Sequence, residues 1–177
     1  MSVGRQLRSV MALPFNAIVT VPAILLWLTP WGPGFGRGGL VVAIVGAALG
    51  LCSALLGLTL MVKTIRLFSR LGRGTLAPWD PTVNLVIEGP YRYVRNPMIS
   101  GVALVLLGEA LATGSLALLG WFGLFVLVNA IYMPVFEEPG LVDRFGDEYR
   151  DYAKHVPRWI PRRAPWSPAS GSPRSDP

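Results

Sequence analysis

The chain has 177 residues, of which 52% are hydrophobic and only 15% charged, with a net charge of +6 and a mean hydropathy of +0.49. Soluble domains carry about 25% charged residues, so this composition excludes an ordinary soluble globular protein. Its 16 basic residues are all arginine except Lys63 and Lys154, and they flank long apolar runs rather than covering a solvated face. That distribution argues for lipid headgroups and against nucleic acid.

Four charge-poor runs predict membrane-spanning helices at about 10–28, 40–62, 98–112 and 116–136. The first follows Arg5 and Arg8 like a signal peptide, but it lacks a small-residue cleavage site and Pro30-Trp31 follows it, so it is read as a retained anchor. The second carries Gly46 and Gly50 in a GxxxG pattern, with Ala43, Ala47, Ala54 and Gly57 on nearby turns. Such a face serves close packing within the chain or a homodimer seam. The third is short: at about 1.5 Å per residue it covers roughly 22 Å of a hydrocarbon core about 30 Å thick. Thr113-Gly114-Ser115 leaves room only for a turn, so the third and fourth runs form a helical hairpin.

Cys52, the one cysteine, lies inside the second run, where it reads as a small packing residue. It excludes an intrachain disulfide and a cysteine metal cluster. His155 alone cannot build a metal site. Glu109, an acid inside a run, reads as a carboxylate reaching the outer interface or as a functional group.

Basic residues set the orientation. Arg5, Arg8, Lys63, Arg66, Arg70, Arg73, Arg92, Arg95 and the six basic residues from Arg144 to Arg163 fall on one side, with Arg37 on the other. By the positive-inside rule both termini are cytoplasmic. Richness in Arg, Ala, Gly and Pro points to a high-GC bacterial source and thus a bacterial inner membrane. The expected architecture is all-α and polytopic: a single domain over 1–161 followed by a disordered tail at 162–177 rich in Pro, Ser and Arg.

Two cytoplasmic stretches, 71–97 and 136–161, are not explained by spanning. In the first, Pro81, Pro90 and Pro97 forbid one continuous helix, and Pro97 suits the first turn of the third span. The helix N-terminus there favours a carboxylate or phosphate. Tyr91, Arg92, Tyr93 and Arg95 read either as an interfacial anchor or as part of a site. In the second, Glu137-Glu138 stand at the end of the fourth span and need water, cations or a polar ligand. Pro139 is expected to push Glu138 out of helical geometry and open an amphipathic helix lying on the membrane or over the loop. Leu141, Phe145, Tyr149 and Tyr152 form its packing stripe.

Gly89-Pro90-Tyr91-Arg92-Tyr93-Val94-Arg95-Asn96-Pro97 with Gly101 resembles the signature of the isoprenylcysteine carboxyl methyltransferase and phospholipid methyltransferase superfamily. Glu137-Glu138, Leu141, Phe145-Gly146, Tyr149, Tyr152, Val156-Pro157 and Ile160-Pro161 resemble its C-terminal part. Together they cover about 72–161 in the right order. The resemblance implies an integral-membrane enzyme that transfers a methyl group from S-adenosylmethionine (SAM) to a lipophilic acceptor. It implies a cofactor pocket of Tyr91, Tyr93, Val94, Arg95, Asn96, Pro97, Gly101, Glu137 and Glu138, with Arg144 near the reaction centre. Glu137 or Glu138 would receive the cofactor ammonium and Arg95 or the amides near Pro97 its carboxylate; Glu138 would also serve as base for an acceptor that must lose a proton. The chain departs from many relatives at Asn96, where they have His, and at Ile99, where they have an aromatic residue. The second departure bears on acceptor identity.

Two other readings remain open at this stage. Steroid-reductase-like membrane enzymes that use NADPH share a similar C-terminal arrangement, although paired glutamates suit a cationic cofactor better than a triply anionic phosphate end. A non-catalytic membrane binding or assembly protein would also keep the fold.

Overall fold

Apolar runs in lipid fold into helices because each backbone amide and carbonyl must be satisfied within its own segment. The computed structural model describes residues 14–29, 39–71 and 85–168, and all regular structure among them is helical. A π-helical turn, Asn16–Thr20, leads into α1 (Val21–Leu28); α2 is Gly39–Leu71. After a 3-10 turn, Gly89–Arg92, come α3 (Pro97–Thr113), α4 (Leu116–Tyr132), a second π-helical turn, Met133–Glu137, and α5 (Glu138–His155). Two continuous helical stretches, Gly39–Leu67 and Leu116–His155, are long and apolar enough to cross a membrane; Asn16–Leu28 and Pro97–Thr113 are shorter apolar helices.

The expected runs therefore coincide with helices, with shifted ends. At about 1.5 Å per residue, α2 is on the order of 50 Å long, so it continues past the expected end at 62 and carries Lys63 and Arg66 on the same helix. Residues 1–13, 30–38, 72–84 and 169–177, with the expectations that fall on them, lie outside the described residues.

The centre of the structure is α3 against α2. A Cβ at Gly50 would stand 2.5 Å from the carbonyl oxygen of Gly108, and one at Gly57 2.5 Å from that of Gly101. Both pairs share a seven-residue spacing, two helical turns, so two antiparallel backbones meet at two places where no side chain intervenes. Gly50 is thus consumed by packing within the chain, which removes half of the face read as a possible dimer seam. The Ser53 hydroxyl donates to the Leu104 carbonyl at 2.8 Å across the same contact. Met61, Val102, Val105 and Leu106 form the buried cluster, with Ile18, Trp121 and Phe125 packed against it. Cys52 is exposed on the outward side of α2, contrary to its reading as a packing residue.

Gly114 closes α3 in the left-handed conformation at φ 63°, and the Ser115 hydroxyl accepts from the Leu118 amide to start α4. This is the expected hairpin. Trp121 Nε1 donates to the Ala17 carbonyl at 3.0 Å, fastening α4 to the N-terminal helical segment.

One local expectation fails. Glu138 is helical (φ −64°, ψ −41°), so Pro139 does not break the chain there. The wider π-helical turn just before it shifts the carbonyls with which the Pro139 ring would otherwise collide. α4 thus runs on through the π-helical turn into α5, which changes direction at Gly146 (φ 53°, ψ −128°). Beyond that point Tyr149, Tyr152 and Val156 are buried against Leu85, Ile87 and Trp166. Of the two positions open to the amphipathic helix, it takes the one over the loop.

Candidate active site

The loop of 89–96 is positioned from two directions. Pro97 at the first turn of α3 anchors its end, with the Asn96 carbonyl accepting from both the amide and the hydroxyl of Ser100 at 3.0 Å. From the other side the segment after α5 runs alongside it as an extended strap. The Arg95 amide donates to the Pro157 carbonyl at 2.9 Å, the Arg162 amide to the Tyr93 carbonyl at 3.0 Å, and the Trp166 amide to the Arg92 carbonyl at 2.9 Å. Arg92 Nε returns a bond to the Trp166 carbonyl at 2.8 Å, and its Nη2 reaches Ser167. Trp166 also stacks on His155, with ring planes 13° apart. Residues 162–168, read from sequence as the start of a disordered tail, are therefore part of the site's scaffold.

The charges converge on Glu138. Its carboxylate accepts from Arg158 Nε at 2.6 Å and Nη2 at 2.8 Å, and Arg95 Nη1 lies 3.0 Å away. Arg95 Nη1 also donates to the Tyr149 hydroxyl at 3.4 Å. Burial alone would raise the Glu138 carboxyl, but the hydrogen bonds and charges of Arg158 and Arg95 reverse this and hold it below the ordinary carboxylate value. Glu138 is thus an ionised, well-occupied acceptor and a weak base. Glu137 is the opposite case. Burial pushes its carboxyl up, and the charge of Arg144 offsets only part of that. Two adjacent glutamates point to different partners because successive helical residues are rotated by about 100°.

A cavity of about 600 Å³ lies against this cluster, lined by Arg95, Glu138, Asp143, Tyr149, Arg150 and Lys154 among others. Arg95 Nε is buried and has no hydrogen-bond partner, an uncommon state for a polar group in a folded protein. A second cavity of about 760 Å³ is apolar, and it lies among α2, α3, α4 and the strap. Val94, 3% exposed, lines this second cavity, whereas the next residue, Arg95, lines the first.

The residues read as a site from sequence separate into groups. Arg95 and Glu138 meet directly; Val94 borders the apolar cavity. Tyr91 contributes its carbonyl, which accepts the Tyr152 hydroxyl at 2.8 Å, and Tyr93 its carbonyl to the strap. Asn96 and Pro97 build the start of α3. Gly101 faces Met61 and Gly57 of α2 rather than either cavity. Arg144 is exposed, its guanidinium 4.9 Å above the Phe145 ring, and it lines neither cavity. Sequence reasoning passed over Arg158, although its setting between Val156-Pro157 and Ile160-Pro161 was a signal: prolines on both sides hold a side chain in a restricted direction.

No group of three or more His, Cys, Asp or Glu among the described residues is arranged to hold a metal. No solved structure matches the chain. Among curated proteins, it is 37% identical over 76 residues to methanethiol S-methyltransferase 2 of Bradyrhizobium diazoefficiens, a match covering 41% of this chain and 27% of that protein. It is 36% identical over 77 residues to protein-S-isoprenylcysteine O-methyltransferase of Schizosaccharomyces pombe, covering 44% of this chain and 33% of that protein. The chain thus spans about a third or less of the length of the curated relatives it matches. Residues 41–148, from α2 through most of α5, match the family model of phospholipid methyltransferases. That match takes in more than half of the chain, including the 89–97 loop and both glutamates, and the chain accordingly belongs to the phospholipid methyltransferase family.

Proposed function

We propose that the protein is an integral-membrane methyltransferase that binds SAM in the polar cavity and methylates a lipophilic acceptor held in the apolar one. The reading includes four membrane crossings with both termini cytoplasmic, as the distribution of basic residues favours. The observation that carries it is the position of Val94 and Arg95. One peptide bond separates a wall of the polar cavity from a wall of the apolar cavity, so a charged donor and a greasy acceptor can be brought together without either leaving its own medium.

The residues present fit the cofactor. It carries a carboxylate, an ammonium and a sulfonium, and the polar cavity offers both signs of charge in a volume typical of small-molecule sites. Arg95, with its unpartnered Nε, would hold the carboxylate; Glu138 and Asp143 would receive the cationic groups, and the Tyr149 hydroxyl would be a neutral partner. Tyr91, Tyr93, Val94, Asn96 and Pro97 complete the proposed cofactor-binding set by shaping the loop and its backbone, while Gly101 supports it indirectly by seating α3 on α2 and Glu137 by its place beside Glu138. When bound, the sulfonium supplies an activated methyl group. The chain itself contributes positioning and exclusion of water, because transfer is an in-line displacement whose rate depends on alignment. Arg158 restrains Glu138, and α5 with the strap covers the loop. Arg144, in this reading, acts on Glu137 from outside the cavities.

Saturable binding of labelled SAM to the purified protein in nanodiscs, together with label transfer into an extracted membrane-lipid fraction, tests the reading. NADPH binding with no SAM binding would replace it with the reductase alternative. Binding of neither cofactor would leave a non-catalytic membrane protein.

A further inference from the structure

Among the described residues, the lining of the apolar cavity carries a single charge. Of the described residues that line it, Lys63 is the only one that ionises, and these include no Asp, Glu or His. Lys63 stands at the loop end of the cavity, with Val94, Trp159 and Pro161. Leu56, Leu107 and Phe122 form the other end. From Leu56 to Lys63 on α2, from Ile99 to Leu107 on α3 and from Phe122 to Ala130 on α4, the lining spans eight or nine residues, about 12 Å of helix. Lys63 enters no ion pair among the described residues. The neutral polar lining groups add no charge: Thr59 and Ser100 donate to the carbonyls of Leu55 and Asn96, and Asn129 Nδ2 donates to the carbonyl of Phe125.

We propose that this cavity selects an amphiphile with an anionic head group, seated against Lys63 with its apolar chain running between α2, α3 and α4. The inference rests on the reading of this cavity as the acceptor site and specifies the acceptor's charge. A cationic head would meet a like charge at the mouth and find no carboxylate to pair with among the described lining residues, an unfavourable arrangement. An ammonium acceptor would also need a base to remove its proton, and the described lining residues offer none. An anion arrives with its lone pair free and has no proton to lose. Lys63 is then a specificity residue, in contact with the acceptor and outside the lining of the cofactor cavity.

The test uses the full chain in phosphatidylcholine nanodiscs without SAM. Decanoate, decanol and decylamine compete with a fluorescent fatty-acid probe. The expected order is decanoate about tenfold tighter than decanol, and decylamine weakest. Lys63→Met should remove the decanoate advantage while leaving decanol competition intact, which shows that the cavity is still folded; Lys63→Arg should restore it. Equal or tighter competition by decylamine, or a decanoate advantage that survives Lys63→Met, would overturn the proposal. Competition by none of the three would overturn it along with the acceptor site. SAM binding on the same samples reports separately on the methyltransferase reading: its absence with the anion preference intact removes that reading and leaves the binding preference standing.

Discussion

Arg158 holds Glu138 by a two-pronged contact, Nε at 2.6 Å and Nη2 at 2.8 Å, on a carboxylate that Arg95 also approaches at 3.0 Å. A planar guanidinium matches a carboxylate in this way and an ammonium does not. One glutamate at the start of α5 therefore ties together the loop before α3 and the strap after α5. Arg158→Met should weaken SAM binding about tenfold, roughly 1.4 kcal/mol, and lower the melting temperature. Arg158→Lys should recover only part of either loss. Isothermal titration and thermal unfolding of the two variants in nanodiscs would check this; unchanged binding in the Met variant would remove Arg158 from the site.

The two glutamates should respond to pH with opposite sign. Glu138 has a lowered pKa in the folded protein, so its contribution is fully present above the ordinary carboxylate value near 4.5. It is lost as pH falls through the depressed folded value, where the unfolded chain already holds the proton. Glu138→Gln should destabilise the protein at neutral pH and flatten the acid limb of its stability curve. Chemical unfolding at stepped pH measures both.

Glu137, raised by burial, costs stability as pH rises from about the ordinary value through the raised one, because the folded state then holds the proton more tightly than the unfolded. Glu137→Gln should be neutral or stabilising near pH 7, opposite to Glu138→Gln. The same unfolding series compares them, and parallel destabilisation by both would contradict the separate environments of the two side chains.

Gly108 has no room for a methyl group: its Cβ would stand 2.6 Å from the Gly50 carbonyl oxygen and 2.8 Å from the Ala54 amide nitrogen. Gly108→Ala should destabilise by about 1–3 kcal/mol through overpacking. Gly123, in α4, has open space around it, and Gly123→Ala should be neutral or stabilise by roughly 0.5–1 kcal/mol. Thermal unfolding of both variants in one detergent gives the comparison.

Removal of 162–177 should free one side of the loop. The Arg162 and Trp166 amides would no longer bond to the Tyr93 and Arg92 carbonyls, and Arg92 would lose its contacts to Trp166 and Ser167. Hydrogen exchange at 91–95 should quicken while α2, α3 and α4 keep their protection. Unaltered exchange in the loop would show that the strap does not order it.

The helices were readable from the chain because hydropathy, charge gaps and turn residues act locally. Thr113-Gly114-Ser115 specifies a turn wherever α3 and α4 go, and Pro97 starts a helix because its missing amide is not needed there. The motif residues were legible for another reason: Arg95 and the paired glutamates have few uses beside an apolar run. Contacts set by three-dimensional packing were not legible. Glu138 and Arg158 are 20 residues apart and meet only because Gly146 redirects α5. Gly101 sits in the motif yet faces α2, since only a glycine backbone approaches Gly57 that closely. The tail looked unstructured by composition, but within its first residues the Arg162 and Trp166 amides find partners on the loop that no local pattern announces. The division at Val94 and Arg95, where one residue faces an apolar cavity and the next a polar one, arises from the packing of four elements around an irregular loop, and no period in the chain encodes it.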